Sequence, residues 1–166
     1  MLHAFLQALR DSAPATAIRE GESLFPWIES VHVLAVTLVI GSIAIVDLRL
    51  LGLASRDRSV LQTTALALPV TWCAFAIAVI SGALLFSSNA LAYAHNPFLQ
   101  AKLLLIVGAG VNMAIFHLVS ARGASGWLTP VLTPGRARIA GAISLILWIA
   151  IAACGRWIGF TLQTLP

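Results

Sequence analysis

The chain has 166 residues, of which 60% are hydrophobic and 10% charged, with a net charge of +4. Soluble domains carry about 25% charged residues, so the composition excludes an ordinary water-soluble domain and points to the bilayer as solvent. The basic residues sit at the ends of apolar runs rather than on one polar face, which argues against nucleic acid as a partner.

Residues 1–24 read as a separate outer segment. In "MLHAFLQALRD", Leu2, Phe5, Leu6 and Leu9 share one helical face, with Gln7, Arg10 and Asp11 elsewhere. That pattern suits a short amphipathic helix lying in the membrane interface. A cleaved leader is the weaker reading. "APATA" has the small residues of a cleavage site, but the apolar part is short and no positive charge precedes it.

Residues 25–166 read as a domain of four membrane-spanning helices. The apolar runs cover about 25–53, 66–86, 98–119 and 139–160, each near the ~20 residues a spanning helix needs. Pro69 is expected in the first turn of the second span, where a missing N–H costs little. The polar stretches "SRDRS", "SSNALAYAHNP" and "ARGASGWLTPVLTPGRAR" separate the runs. The expected fold is all-α: an integral membrane four-helix bundle with an N-terminal amphipathic helix. Cys73 and Cys154 fall in different spans at different depths. A disulfide needs Cα atoms within about 7 Å, so both are expected to be free.

Arg49, Arg56, Arg58, Arg122, Arg136 and Arg138 all belong to the side carrying the first and third connections. The other side has Arg10 and Arg19 together with Asp11, Glu20 and Glu22. The positive-inside rule then puts those connections in the cytoplasm of a bacterial inner membrane. Both termini are expected on the outer, periplasmic side, with Trp27 and Trp157 in an outer aromatic belt.

The histidines are His3, His32, His95 and His117, and only His32 and His117 lie within spans. His32 is six residues past Pro26, about 9 Å below the outer boundary. His117 is 19 residues past Phe98 on a helix running the same way, about 28 Å down. One metal between them is therefore not expected, and His117 reads as an inner-interface or helix-contact residue. Lys102 and Arg156 each lie four residues from the outer end of a span, about 6 Å deep. Glu29 precedes His32 by one helical turn, and His95 and Tyr93 lie in the loop above.

This layer has the parts of a haem b pocket. His32 can supply an imidazole to the iron, with Glu29 holding its other nitrogen. Arg156 or Lys102 can neutralise a propionate. Lys102 can instead be a second axial ligand if burial keeps the amine neutral. Each residue also has a plainer reading: snorkelling cations, a Lys102–Glu29 pair, a hydrogen-bonded core histidine. Arg49 and Asp47 read as inner anchors, and Asn112 as a hydrogen bond between helices.

"SVHVLAVTLVIGSIAIVDLRLLGL" followed by "NPFLQAKLLLIVGAGVNMAIFH" resembles the haem-dependent HemJ-type protoporphyrinogen oxidases and the related CopD-like membrane proteins. The matching positions are His32, Gly41 and Arg49, then Phe98, Lys102, the "LLLIV" run and His117. The family's histidine and lysine are implicated in haem binding and activity, so the resemblance implies those roles for His32 and Lys102. Around Arg49 the chain has "VDLRLLGL", where HemJ-type sequences carry bulky aromatic and basic residues. The chain is also similar to a family of four-helix bacterial membrane proteins of about this length to which no activity is assigned.

The expected function is haem b binding with electron transfer to or from quinone. The enzymatic alternative is oxidation of a porphyrinogen-like substrate by the haem. The non-haem alternative is a structural or assembly subunit of a larger membrane complex, or of a homo-oligomer. Copper transport is weaker, because Met1, Met113, Cys73 and Cys154 are scattered soft ligands.

Overall fold

The computed structural model describes residues 1–54, 57–121 and 135–162. They form α1 (Leu2–Arg10), α2 (Ala13–Glu20), α3 (Leu24–Leu51), α4 (Val60–Ser88), α5 (Ala90–His95), α6 (Pro97–Ala121) and α7 (Gly135–Leu162), and no strand. The helices α3, α4, α6 and α7 are each long and apolar enough to cross a bilayer. Arg56 and Arg122, two of the six arginines behind the expected orientation, lie outside the described residues.

Side-chain and glycine caps set the helix ends. Gly52, at φ 75°, closes α3: its N–H donates to the Arg49 carbonyl and that of Leu53 to the Leu48 carbonyl. This is the double bond of a Schellman motif, and its left-handed residue suits glycine. Asn96, fully buried, starts α6 by accepting from the Phe98 and Leu99 amides, while its Nδ2 donates to Thr161 on α7. Ser59 and Gln62 form a reciprocal capping box. That box starts α4 six residues before the apolar run at Leu66, so Pro69 lies inside the helix rather than in its first turn. Pro69 has no N–H to give the Ala65 carbonyl, a loss that membrane helices tolerate when neighbours re-satisfy the group.

Packing follows the order α4, α3, α7, α6. α3 lies against both α4 and α7, and α6 lies against α7, whereas α4 and α6 share no substantial contact. The four spans thus form an open arc with a seam between α4 and α6. Small residues let the backbones approach. Ala35, Val39 and Ser42 of α3 are buried, as are Ala67, Ala74, Ala78 and Ser81 of α4. A hydrogen bond of 2.8 Å joins Ser42 Oγ and Thr71 Oγ1. Gly141 of α7 sits so close to α3 that a Cβ there would stand 3.1 Å from Leu50 Cβ and 3.2 Å from the Asp47 carbonyl. Large apolar side chains such as Leu34, Ile80, Leu104 and Ile149 face outward, as lipid requires.

The N-terminal segment is two helices rather than one. α1 and α2 pack across the end of the bundle that carries both termini, α1 against α5 and α2 against α4 and α3. Leu6, Ala15 and Ile18 are buried there, while Leu2 and Phe5 stay exposed. The Arg19 guanidinium ties the pair to the bundle by donating to the carbonyls of Arg10 and Ser88.

Candidate functional site

At the terminal end of α3, His32 turns into the arc and meets α4. Its Nδ1 lies 3.0 Å from Ser81 Oγ. The Ser81 hydroxyl already donates to the Ile77 carbonyl at 2.7 Å. Imidazole and hydroxyl can each donate or accept, so the His32–Ser81 bond fixes the position of the ring rather than its tautomer. The ring also hydrogen-bonds the backbone of Ala78 on the same helix as Ser81. The ring fits where Gly82 lacks a side chain: a Cβ there would stand 2.9 Å from the ring's Cε1.

Lys102 approaches from α6. Its Nζ fills the corresponding notch on α7, 3.5 Å from where a Gly155 Cβ would be. It stands within electrostatic reach of both His32 and Cys154. A lysine ammonium this far into an apolar bundle normally finds a counter-charge, and among the described residues there is no ion pair to it.

The other residues of the proposed layer share its depth and not its interior. Arg156 is exposed, with its guanidinium over the Phe160 ring at 5.1 Å, an interfacial cation–π contact. His95 is exposed and bonds the Leu91 carbonyl within α5. Glu29 is exposed as well. The hydrogen bond holding His32 comes from Ser81 on α4 and not from Glu29 on the same helix. The Glu29 charge is felt instead by Tyr93, whose phenol is pushed up first by burial and then by that carboxylate.

The opposite half of the arc holds a second feature. Asp47 and Arg49, read as inner anchors, are buried at 4% and 3% relative exposure. Arg49 Nε donates to the Arg58 carbonyl and staples the α3–α4 connection. Ser144 hydrogen-bonds the Asp47 carboxylate from α7, and Oδ2 has no hydrogen-bond partner. Asp47 lines a cavity of about 380 Å³ that follows the α4–α6 seam. Asn112 donates to the Ala140 carbonyl, joining α6 to α7 at the same level. His117 lines the far end of the cavity and packs edge-on against Phe116. Nothing in the apolar periodicity marked Asp47 as interior; the signal available was one acid in the last two turns of a span.

Cys73 and Cys154 are free. Among the described residues, no group of three or more His, Cys, Asp or Glu side chains could hold a metal ion. A porphyrin brings four of its own nitrogens and asks the protein for one or two axial donors only, a demand that an imidazole such as His32 can meet.

Residues 21–161 match the model of a family of unknown function (DUF6644), and the chain belongs to that family. No curated protein and no solved structure matches it.

Proposed function

We propose that the protein binds haem b noncovalently in the half of the arc nearest the termini and exchanges electrons with quinone in the bilayer. The observation that carries this reading is the position of His32, an imidazole held by Ser81 inside an apolar bundle with the Lys102 charge nearby. An imidazole oriented by a neighbouring side chain suits iron as an axial ligand. Bound haem supplies one-electron redox chemistry. His32 offers the axial nitrogen, and Ser81 orients the ring. Lys102 serves either as a second axial amine or as the counter-charge to a propionate. No Cys-x-x-Cys-His occurs, so attachment is noncovalent. The open seam between α4 and α6 supports lateral access for a lipophilic electron carrier.

The test is a visible spectrum, oxidised and reduced, with a haem assay, on protein expressed with ample haem supply. Bands of haem b at about one per chain are expected. A folded but colourless protein would overturn the reading in favour of a non-haem subunit of a larger assembly. Coloured protein that oxidises a porphyrinogen in turnover would favour the enzymatic alternative over electron transfer.

A further inference from the structure

Independently of haem, the cavity beside Asp47 has a composition of its own. Four aromatic side chains line it: Trp72 and Phe75 from α4, Phe116 from α6 and Trp148 from α7. Asp47 lines it from α3, with one carboxylate oxygen buried and unpartnered. No lysine or arginine is among the described lining residues. The volume of about 380 Å³ is in the range of small-molecule sites.

We propose that this cavity binds a lipophilic organic cation. A buried carboxylate facing apolar surroundings attracts positive charge far more strongly than it would in water, even without direct contact. Aromatic faces add cation–π attraction at desolvated sites. A neutral apolar ligand would leave Oδ2 as orphaned as before, and an anion would be repelled by Asp47. The seam between α4 and α6 gives entry from the bilayer, where a lipophilic cation concentrates.

The test is saturable binding of tritiated tetraphenylphosphonium to the full chain in nanodiscs, with empty nanodiscs subtracted. Wild-type protein is expected to bind about one cation per chain. Asp47→Asn keeps the shape, removes the charge and should weaken binding at least tenfold. Gly110 lines the cavity, and a Cβ there would meet nothing within 4 Å. Gly110→Leu should therefore fold, fill the cavity and abolish binding with Asp47 intact. Benzyltrimethylammonium should displace the probe, whereas neopentylbenzene, its uncharged carbon isostere, should not. Unsaturable binding, Asp47→Asn binding as wild type, or equal displacement by the two isosteres would each overturn the proposal. Should Asp47→Asn fail to fold, Gly110→Leu and the isostere pair still decide it, and neither readout depends on haem.

Discussion

At the scale of single residues, His32 and Lys102 differ from their neighbours by direction rather than depth. Depth along a span follows from counting residues at about 1.5 Å each, and that counting selects His32, Lys102, Arg156 and Glu29 together. Direction around the helix axis needs a polar face and an apolar face, and spans that are apolar on every side have neither. Hence Arg156 and Glu29 were legible as residues of the layer at the terminal end but not as exposed ones, and Asp47 was not legible as buried. The partner of His32 was also hidden, since Ser81 belongs to another helix and serine is common in spans. Two consequences can be measured. His32→Ala should strip haem or shift its spectrum strongly, while His117→Ala, at the opposite end of the bundle, should leave the spectrum largely intact. Equal loss in both variants, with the protein folded, would place the iron elsewhere. Lys102→Arg keeps the charge but cannot deprotonate to ligate. A changed spin state in that variant marks an axial amine, and an unchanged spectrum with normal haem retention marks a propionate partner.

Among the elements, the contacts of α3 with its two neighbours depend on glycines where side chains or backbones need the space. A methyl at Gly141 would meet Leu50 Cβ and the Asp47 carbonyl, and the carbonyl belongs to a backbone that cannot swing aside. Gly141→Ala should therefore push α7 off α3 and cost about 1–3 kcal/mol, the range for overpacking a tight contact. Gly82→Ala meets the His32 ring first, and the ring can rotate at the expense of its bond to Ser81. It should change haem retention more than stability. Thermal unfolding in detergent, followed by helical circular dichroism, separates the two. The start of α4 was present in the sequence as Ser59-x-x-Gln62, a capping-box spacing, ahead of the apolar run that alone suggested a start near Leu66. Ser59→Ala should cost about 1 kcal/mol, typical for a lost N-cap. The exit of α3 at Gly52 falls just inside the run read as ending near residue 53, and the glycine is the stop signal that the run length alone passed over.

Across the whole molecule, four spans and their all-α class followed from composition and run length, because lipid leaves a helix as almost the sole way to satisfy the backbone. Their order around the arc did not follow, since any of several neighbour sets buries equivalent apolar faces. That order separates α4 from α6 and leaves one side of the arc open. Orientation in the membrane then decides which compartment each end meets. Arg58, Arg136 and Arg138 are exposed at the loop end. At the terminal end Arg19 is occupied by two backbone carbonyls and lies beside Glu20 at 3.9 Å, which leaves little net positive charge there. A positive loop end resists translocation. A C-terminal alkaline phosphatase fusion should therefore be active, and a fusion in the α3–α4 connection inactive, with a cytoplasm-active reporter giving the reverse pattern. The opposite result would bring His32 within reach of cytoplasmic reductants and open the Asp47 cavity toward the outside, exchanging the partners available to the two ends without altering either one's chemistry.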